Sequence, residues 1–327
     1  MWAYVLAAPR RFEKVDVPAP EAGDLRDGQV LLRTLAGGIC GSDAPDFRGL
    51  RTPLVARDRP DEGPGAPGLP GFPMHEVVGE VVASRDPSLK PGARVVGWAD
   101  SADAIAAYVV TAGAGLAECD PALEPTVAAL LQPLACVLSA VDRLGALDGA
   151  DVAVLGQGPI GILFSHVIKE RGARRVTGVD VVDRDDVAGL FGVDEAVRGA
   201  SGRWAAHLAD DRRPGVVVEA IGHQTATLGD AIDAVAPSGL IHYFGIPEEH
   251  PYALDMWKFL RKQLTMQAGT TLERRRYLQA AGQYLAAHRV LADHYVTHTY
   301  GVGDVQAAYE CADVPAEGRL KVAVSMA

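Results

Sequence analysis

Positive charge is in short supply in this 327-residue chain. Lys and Arg number 31 against 42 Asp and Glu, a formal net charge of −11. Such a chain has no global field to draw in nucleic acid or an anionic membrane. Cysteine is scarce as well. Cys40, Cys119, Cys136 and Cys311 are the full set, and no two form a Cys-x-x-Cys pair. That excludes a zinc ribbon and a thioredoxin-type site. The scatter speaks for reduced thiols in a cytoplasmic protein rather than a disulfide framework. No stretch reaches about 18 uncharged apolar residues, so no membrane-spanning helix is expected. The first residues carry no basic segment and their apolar run is broken at Pro9, which reads as a strand rather than a signal peptide. Internal repeats and low-complexity tails are absent. Disorder is not indicated either, because hydrophobic residues make up 48% and charged residues 22%. At about 150 residues per domain the length suggests two domains.

What is present changes character along the chain. Up to about residue 120, short β-branched runs alternate with Gly, Pro and Asp turns; Val30–Leu35, Glu76–Val82 and Ala93–Gly97 read as strands. From Arg48 to Pro73 there are four arginines, six prolines and five glycines, the composition of a long irregular loop. Pro125 to Leu144 is apolar and helical, closed by Gly145. Strand-like and helix-like segments then alternate. Strands are expected at Asp151–Leu155, Arg175–Asp180, Gly215–Gly222 and Gly239–Gly245, with helices from Ile160, near Val187 and from Thr225. That rhythm implies a parallel sheet with helices on both faces. A helix over Leu272–Ala287 and short strands follow.

Gly156-Gln-Gly-Pro-Ile-Gly161 fits G-x-G-x-x-G between a buried-type strand and a helix, the context that gives the pattern meaning. Gly156 permits the tight turn, Gly158 the approach of backbone to a pyrophosphate, and Gly161 close helix–strand packing. Pro159 and Ile160 open a helix whose N-terminus faces the phosphates. Asp180 ends the second strand, 19 residues after Gly161. Its carboxylate suits the ribose hydroxyls of NAD and repels the 2′-phosphate of NADP. The strand ends at Ile221-Gly222 and Phe244-Gly245-Ile246 are the expected nicotinamide-side walls.

A second constellation lies outside this region. Cys40 follows a strand, His75-Glu76 opens another 35 residues later, and Gln132 stands on the linking helix. Sulfur, nitrogen and oxygen donors of this kind suit one zinc ion with a position left open for substrate. Taken singly, a lone cysteine or histidine is more often a core residue.

In combination these residues resemble the zinc-dependent medium-chain dehydrogenase/reductases of the alcohol dehydrogenase superfamily, in the polyol, sugar and threonine dehydrogenase branch. The resemblance rests on Gly38-Ile-Cys-Gly-Ser-Asp43, His75-Glu76 with the valine-rich run after it, Lys90-Pro-Gly-Ala-Arg-Val-Val96, Gln132-Pro-Leu-Ala135, the glycine motif, Val217–Gly222 and Phe244-Gly-Ile-Pro247. It implies an α/β protein: a GroES-like β-rich catalytic domain from residues 1–136 and 270–327, and a doubly wound Rossmann domain over 137–269. It implies Cys40 and His75 as zinc ligands, Glu76 as a ligand or exchangeable near-ligand, Ser42 as the hydroxyl that takes the substrate proton, and Asp43 behind His75. The activity implied is hydride transfer between NAD and a secondary alcohol or ketone, the substrate a small hydroxylated molecule such as a polyol, sugar or cyclitol. A homodimer or homotetramer is the family expectation.

The chain departs from the family pattern at several points. Met74 replaces the usual glycine before His-Glu, Gln132 stands where Glu is common, and Pro45 where a relay histidine can occur. Gly97 to Tyr108 closes the gap in which relatives carry a four-cysteine lobe, so no structural zinc is expected. Two other readings stay open: a zinc-free quinone or enone reductase, which Cys40, His75 and Glu76 oppose, and a non-catalytic dinucleotide-binding protein on the same scaffold. The arginine loop is either a lid whose Arg48 and Arg51 meet an anionic or heavily hydroxylated substrate, or a solvated surface or subunit contact.

Overall fold

Valine-rich runs separated by glycine and proline build the N-terminal part, as β-branched residues in short segments favour extended backbone. The structure, a computed structural model, describes residues 1–50, 69–249 and 251–327. The chain divides into two compact units. One comprises Met1–Ala135, Leu272–Val314 and Arg319–Ala327, and the other Cys136–Thr271 and Pro315–Gly318.

In the first unit β1 (Trp2–Ala8) and β2 (Arg11–Asp16) form an antiparallel hairpin. β3 (Gln29–Gly38), β4 (Glu76–Ser84), β5 (Arg94–Trp98), β6 (Tyr108–Ala112) and β7 (Leu116–Glu118) follow. β3 pairs with both β4 and β6, β4 with β5, and β5 with β7, all antiparallel. Valines from these strands, among them Val30, Val77, Val95 and Val109, meet in one buried core.

The helix expected over Pro125–Leu144 is two helices, Pro125–Ala128 and Leu131–Asp142. Pro133 explains the break. It has no N–H to donate, and its ring clashes with the carbonyl of residue 129. The sequence expectation about apolar runs needs a correction here as well. The stretch Pro125–Asp142 is 18 residues long and apolar enough by composition to cross a membrane; 72% of it is buried within the protein, the behaviour of a core helix.

The second unit holds six strands, β8 (Asp151–Leu155), β9 (Arg175–Asp180), β10 (Glu195–Arg198), β11 (Val216–Glu219), β12 (Leu240–Tyr243) and β13 (Thr265–Ala268). They pair in parallel in the order β10-β9-β8-β11-β12-β13. In chain order this is 3-2-1-4-5-6, the doubly wound dinucleotide arrangement, whose switch point falls between β8 and β11. Helices Pro159–Glu170, Ser201–His207, Ala226–Ala234 and Met256–Arg261 connect the strands. The helix expected near Val187 is only a 3-10 turn, Gly189–Phe191. Asp183, Asp185 and Asp186 favour turns over helix interiors, and Gly192 at φ 76° ends the segment in the left-handed region.

The chain then returns to the first unit through helices Arg274–Ala287, Arg289–His294 and Val305–Asp313 and the strands β14 (Val296–Gly301) and β15 (Lys321–Ser325). β15 runs antiparallel to β3 and parallel to β14, which completes a seven-stranded sheet.

Candidate active site

The 34 residues between Cys40 and His75 are bridged by strand register. β3 and β4 pair antiparallel with Gly38 opposite Glu76. Cys40, just past the end of β3, therefore meets His75, just before the start of β4. Donor atoms of Cys40, His75 and Glu76 all lie within 4.8 Å of one another. Asp43 organises the group from a turn closed by its own N–H to the Cys40 carbonyl, 3.0 Å. Its Oδ2 accepts the Cys40 backbone N–H at 2.9 Å, and its Oδ1 lies 3.1 Å from His75 Nδ1. With Nδ1 donating to a buried carboxylate, Nε2 is left with its lone pair for a metal. Thiolate, imidazole and carboxylate are the donor chemistry of zinc.

Glu76 is fully buried. Its Oε1 pairs with Lys321 Nζ at 2.5 Å, while its Oε2 is a buried oxygen without a hydrogen-bond partner among the described residues. An unsatisfied carboxylate oxygen beside a thiol and an imidazole is the arrangement a cation would complete. Gly38 makes room for the pair, since a Cβ there would sit 2.1 Å from Glu76 Oε2. Met74, the departure from the family glycine, is fully buried, and a Cβ on Gly37 would sit 2.2 Å from its sulfur. Gln132, 3% exposed, lies in the first turn of helix Leu131–Asp142 in the same unit. Ser42 immediately precedes helix Asp43–Phe47.

Burial pulls the His75 pKa down, but the charge and hydrogen bond of Asp43, reinforced by Cys40, outweigh it and hold His75 well above its ordinary value. The metal-free Asp43–His75 pair thus contributes stability that is fully present below about pH 6.5 and is lost as pH rises through the raised value. A metal requires neutral imidazole and thiolate. Zinc uptake by the metal-free protein is therefore expected to release protons and to weaken as pH falls. Calorimetry in buffers of different ionisation enthalpy checks this; uptake independent of both buffer and pH would contradict it.

The predicted dinucleotide residues gather at the switch point. Gly156, at φ 87°, has no room for a side chain, because a Cβ would lie 2.9 Å from Ile221 Cγ1 and 3.2 Å from the Ala220 backbone. At Gly161 a Cβ would lie 1.7 Å from the Gly156 carbonyl oxygen. Gly158 faces open space within 4 Å, as backbone that receives a pyrophosphate must. Pro159 and Ile160 begin the helix Pro159–Glu170. Asp180 accepts the Gln157 N–H at 2.6 Å and the Val182 N–H at 2.8 Å. A cavity of about 90 Å3 beside it is lined by Gln157, Asp180, Asp183, Arg184 and Arg198, among others. Arg184 is buried, and its Nη1 donates to the Ala316 carbonyl at 3.1 Å.

The two predicted wall segments also meet. His223 N–H donates to the Ile246 carbonyl at 2.7 Å, and a Cβ on Gly245 would lie 2.4 Å from Gly222 N. Glu219 ties them together. Its Oε1 accepts from Ile221 and Gly222, each at 3.0 Å, and its carbonyl from Phe244 and Gly245.

Arg48 has a structural partner. Its Nε and Nη2 donate to Asp313 at 2.6 and 3.0 Å, and Asp313 also holds Arg10 at 2.5 Å. Its guanidinium is thereby occupied in joining helix Asp43–Phe47 to helix Val305–Asp313, which is not the substrate role considered for it. Arg51, with Arg57 and Arg59, lies outside the described residues.

Sequence reasoning passed over Lys321, Glu219 and Gln157. A lysine flanked by Leu320 and Val322 in a strand with no polar alternation was the available signal for Lys321; a buried charge needs a partner. Gln157 occupies a variable position of the glycine motif and carried no signal of its own.

With this geometry in view, residues 26–118 match the alcohol dehydrogenase GroES-like domain, and residues 126–326 match the family described as glucose dehydrogenase C-terminus. The chain is 30% identical to D-altritol 5-dehydrogenase of Agrobacterium fabrum over 286 residues, 77% of this chain and 79% of that one. It is 25% identical to D-arabinitol dehydrogenase 1 of Uromyces fabae over 351 residues, 95% and 93% of the two chains. Its fold resembles that of an alcohol dehydrogenase from Thermus sp. ATN1, with a TM-score of 0.83, 24% identity and full coverage of both chains. The protein belongs to the medium-chain dehydrogenase/reductase superfamily, in its polyol dehydrogenase branch, and is an oxidoreductase of the alcohol dehydrogenase type.

Proposed function

We propose that this protein is a zinc-dependent dehydrogenase that transfers hydride between NAD and a secondary alcohol or ketone of the polyol or sugar class. The observation that carries the reading is the Cys40, His75 and Glu76 donor set with Asp43 fixed on His75 Nδ1. Cys40, His75 and Glu76, with Gln132, would hold a single zinc. When bound, zinc supplies a Lewis acid that makes a hydroxyl more acidic, and nicotinamide supplies the hydride acceptor. Asp43 keeps the imidazole and the Cys40 turn in place. Ser42, on the same turn, takes the proton that leaves the substrate hydroxyl. The Gly156–Gly161 loop binds the pyrophosphate, and Asp180 the ribose hydroxyls. The polyol class is supported by the two curated relatives, named as dehydrogenases of D-arabinitol and D-altritol.

Metal analysis combined with NAD reduction over a panel of pentitols and hexitols tests the proposal. One zinc per chain and chelator-sensitive NADH formation are expected. Metal-free protein that reduces quinones or enones with full activity would replace this reading with the quinone reductase one.

The preference for NAD follows from charge. Asp180, Asp183 and Asp185 surround a cavity whose two arginines are both engaged, Arg184 with Ala316 and Arg198 with Asp183 at 3.4 Å. Hydrogen bonds to a charged group are worth about 1.5–3 kcal/mol. Asp180→Ser should thus raise KM for NAD about 10- to 100-fold and shift the NADP to NAD ratio of kcat/KM toward NADP. An unchanged ratio would remove Asp180 from the ribose role.

A homo-oligomer in the cytoplasm completes the proposal. β13 is an edge strand on which Met266 is 43% exposed, and the preceding helix exposes Met256, Trp257 and Leu260 by 60–70%. Such an edge and apolar patch favour cover by another copy. Four free cysteines fit a reducing compartment.

A further inference from the structure

We propose that the side chain of Gln157 is a latch that holds the phosphate loop ready for the dinucleotide, and that it sets cofactor affinity without entering the chemistry. The inference rests on the dinucleotide reading above. The middle residue of a Gly-x-Gly turn has no need to point inward. Gln157 does: the residue is 2% exposed and its side chain lies beneath its own loop. Nε2 donates to the carbonyls of Val154 and Gly156, both at 3.2 Å, and Oε1 accepts from Ser165 Oγ at 3.1 Å. Both amide hydrogens and the oxygen are thus satisfied. The one Ser165 hydroxyl hydrogen is shared between Gln157 Oε1 and the Gly161 carbonyl, each 3.1 Å from Oγ, so the latch joins the end of β8, the loop and the first turns of the helix behind it.

Two further observations converge on the same residue. The Gln157 backbone N–H donates to Asp180 Oδ2 at 2.6 Å, so one residue positions both the phosphate loop and the ribose carboxylate. Space for the latch is reserved on the neighbouring strand. Gly178 of β9 lies against it, and a Cβ there would sit 2.7 Å from Gln157 Cδ. A loop frozen in its binding shape avoids an ordering cost when ligand arrives. Gln157 and Ser165 are positioning residues: they act on the cofactor through the backbone they hold.

The test uses the full-length enzyme, with NADH binding followed by fluorescence titration alongside kcat, KM, zinc content and thermal unfolding. Gln157→Met keeps the bulk and removes the side-chain bonds. It should raise the NADH Kd and the NAD KM about tenfold, leave kcat within about twofold and leave zinc content unchanged. Ser165→Ala, a milder change, should weaken binding about threefold. Gly178→Ala should weaken binding while Gln157 is present, and Gln157→Ala should relieve the clash, so the double variant binds more tightly than the two separate losses predict. Wild-type affinity in Gln157→Met, or additive losses in the Gly178 and Gln157 pair, would overturn the latch. A lowered melting temperature with unchanged NAD KM would make it a purely structural contact. A wild-type enzyme that binds no NADH would instead refute the dinucleotide reading itself.

Discussion

Cys40→Ala should emerge from purification without zinc and with turnover reduced about a thousandfold. The sulfur is the softest donor in the set and carries the charge that best retains zinc. A metal of this kind supplies several kcal/mol of transition-state stabilisation, and each 1.36 kcal/mol is a factor of ten. Asp43→Asn should be gentler, about 10- to 100-fold in zinc affinity, because it loosens the ligands without removing one. Neither change touches the unit that carries Gly156 and Asp180, so the NADH Kd should stay at the wild-type value in both. Metal analysis, steady-state kinetics and NADH titration together separate these effects. A Cys40→Ala enzyme that is metal-free and fully active would end the zinc mechanism.

Lys321→Met should destabilise the metal-free protein by about 3–5 kcal/mol, the cost of leaving a buried charge without its partner. Lys321 and Glu76 are 3% and 1% exposed at their side chains and 2.5 Å apart. Without the ammonium, Glu76 keeps a buried carboxylate whose Oε1 has lost its donor and whose Oε2 has none among the described residues. The double variant Glu76→Gln, Lys321→Met should recover most of the loss, because replacing both charges removes the uncompensated one. Zinc should also recover part of it in the single variant by mass action on the folded state. Urea unfolding with and without zinc provides the measurement; equal stability of the single variant and the wild type would mean that the pair carries no net electrostatic weight.

Several parts of this protein could be read directly from residues. β8 and β9 have the bounds expected from their apolar runs, Asp151–Leu155 and Arg175–Asp180. Local pattern suffices there because a strand buried in a parallel sheet is apolar throughout. The helix near Val187 failed for the opposite reason. Its aspartates and glycines carry the local preference, and no apolar face was strong enough to override them. Pro133 marks the break between Pro125–Ala128 and Leu131–Asp142, but the apolar run around it carries the stronger local helix signal. The site divides in the same way. Cys40, His75, Glu76 and Asp43 stand in short motifs and could be proposed together. Lys321 is 245 residues from Glu76, and no local rule links the two.

The sequence alone determined the class of fold, the position of the glycine turn with Asp180 at the end of the next strand, and the types of donor available. These depend on periodicity, turn chemistry and side-chain identity, all of which are properties of neighbours along the chain. Only the tertiary structure decided that the Gly38–Glu76 register brings Cys40 to His75, that Glu76 shares its charge with Lys321, that Arg48 is held by Asp313, and that Gln157 turns inward against Gly178. Each of these depends on which distant segments pack together and on how much space a missing Cβ leaves between them, and such distances exist only once the chain has folded.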